Sequence, residues 1–233
     1  MKKYGTWILG YSIIMTLALL GALLGNKAVT VMAEISPVHR KHTIIIDPGH
    51  GGVDGGATSC TGVLESKFNL EISLRLNDFL HFLGHRTTMI RTEDISVYKE
   101  GETIARKKMS DLKERVRIIN STQDAILLSV HQNTFPDSRY SGAQVFYAGT
   151  EGSQILAKKL QNSFISTINP GSNRQEKKCS NIYLMEHIRC PGVLIECGFL
   201  SNPEEEGRLR NADYQKKLCA VIACTLDQNL PNT

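Results

Sequence analysis

Four short segments of the chain carry side chains whose types and spacing could build a hydrolytic metal site. IIIDPGHGG ends at Gly52 and drops His50 into a glycine-rich turn straight after an apolar strand. GVLESKFNLEI puts Glu65 on the first turn of a helix. ILLSVHQN carries His131 at the far end of a buried strand, and VLIECGFLSNPEEE holds one acid, Glu196, inside an apolar run. Two imidazoles and one carboxylate suit a single zinc ion and leave a coordination position open for water. The second carboxylate, Glu196, is then free to handle protons.

Each residue alone has an ordinary explanation. His50 could be a turn residue and His131 a core histidine satisfied by backbone. Glu65 could be a helix-start acid paired with a base, yet Phe68, Ile72, Leu76 and Phe79 come after it at helical spacing. It therefore extends a core-facing stripe and points inward, where a carboxylate needs a cation. Glu196 shares its strand face with Leu194 and Gly198, the glycine clearing space beside it. An unpaired acid there is costly, and Arg115 is the best partner for an ordinary ion pair. Four such residues coinciding by chance is much less plausible than any one of them. Asp47 stands ready to orient the His50 loop or a ligand imidazole, and Asn133 shares a face with His131 if the strand runs on.

The elements that must position these residues alternate. Strands are predicted at Thr43–Asp47, Arg86–Arg91, Ala125–His131, Ala143–Ala148, Ile182–Met185 and Val193–Phe199. Helices are predicted near Glu65–Leu83, Asp111–Asn120, Ser153–Thr167 and Ala212–Gln228, the second started by a capping-box-like Asp111-x-x-Glu114. This pattern predicts an α/β fold with a largely parallel or mixed central sheet flanked by helices, in one catalytic domain over residues 42–230. In such sheets the ligand site lies beyond the carboxyl ends of the strands, where His50, His131 and Glu196 fall. Two long polar loops, 92–110 and 169–180, stand out as functional or disordered connectors.

Residues 1–28 read differently. Lys2 and Lys3 precede an apolar run from Thr6 to Gly25, long enough to span a bilayer and longer than the usual signal core. A retained membrane anchor and a cleaved signal ending near Ala33 are both open. Either would export the catalytic domain, with residues 29–41 as a linker in front of it. Of 233 residues 41% are hydrophobic and the net charge is only +4, with no long basic run, which speaks against nucleic acid as a partner. Six cysteines without CxxC spacing exclude a zinc ribbon. Cys197, Cys219 and Cys224 read as buried small hydrophobes, and a Cys179–Cys190 bridge is open.

With those motifs in place, the chain resembles zinc-dependent N-acetylmuramoyl-L-alanine amidases of the amidase 3 type. IIIDPGHGG, the helix-start Glu65, SVHQN and PGVLIECGFLSNPEEE occur in the family's order from about His42 to the C-terminus. The resemblance implies one Zn2+ held by His50, Glu65 and His131, with Glu196 as catalytic acid–base. DLKERVRIIN matches the family's L-x-x-R helix and so places Arg115 near the site. The implied substrate is peptidoglycan, cut at the amide between muramic acid and L-alanine.

A short N-terminal segment, a long loop at 92–110 and the lack of wall-binding repeats resemble the sporulation branch, the CwlD-type amidases of endospore formers. In that branch stem peptides are stripped from spore-cortex glycan before muramic δ-lactam forms. That resemblance implies work in the developing spore envelope, and a lone catalytic domain leaves room for an accessory activating protein. Rival readings are a zinc peptidase or deacetylase acting on another cell-wall amide, and a non-catalytic wall-binding regulator.

Overall fold

A computed structural model of the protein describes residues 41–230. The apolar N-terminal segment and all of the linker but Lys41 lie outside the described residues. Among the described residues no helix is long and apolar enough to cross a membrane.

Six strands form one sheet: β1 (Thr43–Pro48), β2 (Arg86–Met89), β3 (Ala125–Asn133), β4 (Gln144–Tyr147), β5 (Lys177–Lys178) and β6 (Gly192–Phe199), in the order β2-β1-β3-β6-β4-β5. β2, β1, β3 and β6 run parallel, and β4 turns against β6. The sheet is therefore mixed, with a parallel centre, as the alternation of periods predicts.

Both faces are buried, so the central strands read as continuous apolar runs rather than alternating ones. Ile44 and Ile46 of β1 face one core with Val130 of β3 and Ile195 and Cys197 of β6. Ile45 faces the other with Leu127 and Leu194. The first core is covered by α1 (Glu65–Phe82), α3 (Ser153–Thr167) and α6 (Ala212–Asn229). Phe68, Ile72 and Leu76 of α1 are buried at the predicted spacing. The second core is closed by α2 (Ile104–Ser121) and the short α4 (Tyr183–His187). A small helix, α5 (Pro203–Leu209), comes after β6 and is started by Asn202, whose side chain accepts from the Glu204 and Glu205 amides.

Several expectations are corrected. Ile182–Met185 is not a strand: it opens α4, its apolar residues meeting the second core as one helical turn. The loop at 92–110 is shorter than expected because α2 begins at Ile104, where Thr103 caps it by accepting from the Arg106 amide. Asp111 therefore caps nothing; it accepts from the Val97 amide and from Arg115. The loop at 169–180 contributes the edge strand β5. All six cysteines are free thiols, and Cys224 is exposed because it lies on the outer side of α6, whereas Cys197 and Cys219 are buried.

Candidate functional site

The site is built where β1, β3 and β6 end and the start of α1 reaches over the sheet edge. His50 adopts a left-handed backbone (φ 60°), rare for a non-glycine residue, within a turn continued by Gly51 and Gly52. Two buried arginines hold this turn by its carbonyls. Arg91 donates to the carbonyls of Pro48 and Gly49 at 3.0 Å each. Arg115 donates to those of Pro48 (3.0 Å) and His50 (2.7 Å). Its charge is met by Asp47 and Asp111, and Ser129 donates to Asp47 at 2.7 Å. Burial acts to raise the Asp47 pKa, but Arg115 and Ser129 outweigh it and keep the carboxylate ionised.

Glu65 is 4% exposed and faces inward from the helix start. It accepts from the amides of Ala57 (3.0 Å) and Gln132 (3.2 Å) and from Asn69 Nδ2 (3.3 Å). His131 Nδ1 lies 3.0 Å from its Oε1 and His50 Nε2 lies 3.3 Å from its Oε2. Burial would raise the Glu65 pKa, but the two imidazoles hold it well below the usual carboxylate range. His50 Nδ1 is bonded to Asp54 at 2.9 Å. Burial pulls the His50 pKa down, yet the bonds to Asp54 and then Glu65 raise it to about 9. The glycines are spatial requirements here. A Cβ on Gly49 would stand 2.2 Å from the His131 ring, and one on Gly56 2.6 Å from Glu65 Oε2.

Glu196 stands beside this group as the register partner of His131. Its Oε2 is buried and has no hydrogen-bond partner among the described residues. Burial pushes its pKa up to about 7. The pairing with Arg115 does not occur, because that guanidinium is committed to Asp47, Asp111 and the loop carbonyls. Gly198 makes room for Glu205 and Leu209 of α5 rather than for Glu196.

His50, Glu65 and His131 each offer a ligand atom within 4.8 Å of the others, a group able to hold a metal ion. The two imidazoles approach the two oxygens of Glu65 from separate sides, at 3.0 and 3.3 Å, so the three side chains converge on one small volume. The cleft above has a volume of about 290 Å³ and is lined by Lys108, Asn181 and Tyr183 as well as the site residues.

Of the two roles open to Asp47 it takes the first, orienting the loop through Arg115, while Asp54 holds the His50 imidazole. Asn133 ends β3 two residues after His131 and pairs with Phe199 after a bulge whose extra residue lies in β6. Between the two residues the Gln132 amide donates to Glu65 Oε1 at 3.2 Å. Asp54, Arg91, Asn69 and Gln132 hold the site's side chains and loop and are missed by sequence reasoning. Only Asp54 carries a signal, an acid four residues after a glycine-flanked histidine.

A doubly covered mixed α/β sheet with two imidazoles and a carboxylate grouped as a metal could use them, and a second, unpartnered carboxylate at its carboxyl edge, suits a hydrolase with a metal-type centre. Residues 44–228 match the amidase 3 family model, described as N-acetylmuramoyl-L-alanine amidase. The chain is 38% identical over 181 residues to the germination-specific N-acetylmuramoyl-L-alanine amidase of Bacillus subtilis, covering 77% of this chain and 76% of that protein. It is 31% identical to the N-acetylmuramoyl-L-alanine amidase LytC of the same organism, covering 77% of this chain but 34% of LytC. The CwlD amidase from Clostridioides difficile, solved in complex with the GerS lipoprotein, superposes with a TM-score of 0.76 at 36% identity, covering 80% of this chain and 96% of that one. The chain belongs to the N-acetylmuramoyl-L-alanine amidase family, as its motifs implied, and is a peptidoglycan amide hydrolase.

Proposed function

We propose that the protein is a zinc amidase that cuts the amide between muramic acid and L-alanine of the stem peptide, working on spore peptidoglycan outside the cytoplasm. The observation that carries the chemistry is the unpartnered Glu196 Oε2 beside the His50–Glu65–His131 group. The spore assignment rests on similarity to the germination-specific amidase of B. subtilis and the CwlD amidase of C. difficile.

His50, Glu65 and His131 would hold the ion. When bound, zinc supplies a Lewis acid that polarises the amide carbonyl and lowers the pKa of water. Glu196 takes the proton of the attacking water and returns it to the leaving amine of L-alanine. Asp54 fixes the His50 ring so that Nε2 points inward. Arg91, Arg115 and Asp47 hold the strained turn that carries His50.

We further propose that residues 1–28 export the catalytic domain at 42–230, either as an anchor in the membrane or as a removed signal, with 29–41 as linker. An accessory protein, of the kind the CwlD structure carries in the GerS lipoprotein, is proposed as a partner. The test is incubation of the purified protein with peptidoglycan, with and without a chelator. Mass analysis should find free stem peptides and peptide-free glycan only without chelator. Release of acetate or of single amino acids instead would transfer the chain to a deacetylase or peptidase role.

A further inference from the structure

Just past Glu196 the strand that carries it leaves the regular sheet on both sides. Towards β4 the ladder ends with the Gln144–Glu196 pair. Towards β3 the pair after His131–Glu196 is Asn133–Phe199, two residues on in β3 but three in β6, so a bulge follows Glu196 directly. Cys197 packs into the first core, and a Cβ on Gly198 would stand 3.2 Å from Leu209 of that same core. Two successive residues therefore face one way, where regular alternation would return Gly198 to the side of Glu196. A bulge of this kind re-aims the side chain beside it.

The bulge is closed by a side chain rather than by a strand. Glu205 of α5 is buried, and its Oε2 accepts from the Phe199 amide at 2.9 Å. The amide of Gly142, two residues before β4 begins, also donates to this carboxylate. One side chain thus takes an amide from each strand where their mutual ladder has stopped. The fit is close, since a Cβ on Gly198 would stand 3.2 Å from Glu205 Oε2. Burial raises the Glu205 pKa against the two amides and the nearby Arg208 and Arg174, so the site asks for an acceptor more than for a charge. The short helix that presents Glu205 is itself fixed. Asn202 caps it, and the buried Glu206 accepts from Thr61 Oγ1 at 2.5 Å and from Ser59 Oγ at 3.3 Å.

We propose that Glu205 is a positioning residue for the hydrolysis, holding the β6 bulge closed and so setting the direction of the Glu196 carboxylate. This rests on the proton-handling role of Glu196 proposed above. It gives the acid-rich NPEEE stretch after the strand a task beyond starting a helix.

The test compares Glu205→Ala and Glu205→Gln with wild type on soluble peptidoglycan fragments, reading kcat, KM and zinc content, with denaturant unfolding measured separately. Glu205→Ala leaves both amides without their acceptor. Its kcat should fall about 10–10²-fold, the scale of a small misplacement of a reacting group, at unchanged KM and zinc content. Glu205→Gln keeps an acceptor oxygen and should restore kcat to near that of wild type. Lost stability with wild-type kcat in folded, zinc-loaded Glu205→Ala would overturn the assignment, as would a fall in Glu205→Gln as deep as that in the alanine variant. If Glu205→Ala does not fold, Gly198→Ala carries the test, because its methyl presses on Glu205 Oε2. Its kcat should fall at unchanged KM, and a wild-type kcat there would overturn the proposal. A wild-type protein that releases no stem peptide would overturn the amidase reading and this proposal with it, whereas an active wild type matched by Glu205→Ala overturns this proposal alone.

Discussion

His131 and Glu196 are register partners on the parallel strands β3 and β6, one strand spacing apart at the centre of the sheet. A slip of one residue in either strand would turn one of the two side chains to the opposite core. The pairing of the His131 imidazole with the buried, unpartnered Glu196 carboxylate is therefore fixed by the same apolar packing that fixes the sheet. Leu127 and Leu194 hold that register on one face, and Val130 and Ile195 on the other.

Glu196→Gln tests the role of this carboxylate. The amide is nearly isosteric, so fold and zinc content should be kept while kcat falls by about 10²–10⁴. Glu196 must be ionised to act as base, and burial puts its pKa at about 7. A neighbouring cation favours the ionised form, so the acid limb of the wild-type pH–rate profile should lie at or below about 7. The limb should disappear in the variant. Wild-type turnover in zinc-loaded Glu196→Gln would make the residue structural.

Glu65→Ala should reduce zinc content strongly, since it removes the oxygens that meet both imidazoles. Elemental analysis of protein dialysed against trace zinc is the measurement. An undiminished metal content would break the assignment of the three ligands.

Zinc uptake should release protons. In the metal-free protein the His50 pKa is raised to about 9, so the ring is protonated at neutral pH. An ion can bind only after expelling that proton, and affinity should fall about tenfold for each pH unit below about 9. Calorimetric titration in two buffers of different ionisation enthalpy reads the released protons directly. A binding heat independent of the buffer would contradict the raised pKa.

Much of this site is legible in the sequence because its signals are local. A histidine among glycines after an apolar strand, an acid extending the Phe68–Ile72–Leu76 stripe and an acid within VLIECGF are visible within ten residues each. Of the residues that hold them, Arg115 is marked by its L-x-x-R helix and Asp54 by its place four residues after His50; the others are not. Arg91 and Arg115 reach the Pro48–His50 carbonyls from sequence separations of 42 to 67 residues. Asn69 and Gln132 look like ordinary helix and strand polar residues until Asn69 Oδ1 accepts from Gln132 Nε2 at 3.3 Å beneath Glu65. The early start of α2 is hidden because IARKKMS lacks an apolar stripe; the Thr103 cap is its only local mark.

Arg115→Ala should be more damaging to stability than most single changes. It leaves Asp47 as a buried, unpaired carboxylate and frees the carbonyls of a strained turn. Breaking one side of a buried pair costs about 3–5 kcal/mol. Denaturant unfolding of the metal-free variant should show that loss, and zinc affinity should fall although Arg115 is not a ligand. A stability within about 0.5 kcal/mol of wild type, typical of surface changes, would mean that the turn is held by Arg91 alone.

The physiological prediction derives from the proposed substrate. If stem peptides are removed from cortex glycan, muramic acid is left with a free lactyl carboxyl, and closure of that carboxyl onto the deacetylated sugar amine forms the δ-lactam. Cells lacking the protein should therefore grow and divide normally, yet make spores whose cortex lacks muramic lactam and which germinate poorly. Complementation with Glu196→Gln should leave the lactam absent, which separates loss of chemistry from loss of the protein as a scaffold. Muropeptide profiling of purified spores is the deciding measurement. A normal lactam level, or a defect in daughter-cell separation during growth, would place the enzyme among general cell-wall amidases, with the His50–Glu65–His131 group and Glu196 performing the same hydrolysis on vegetative peptidoglycan.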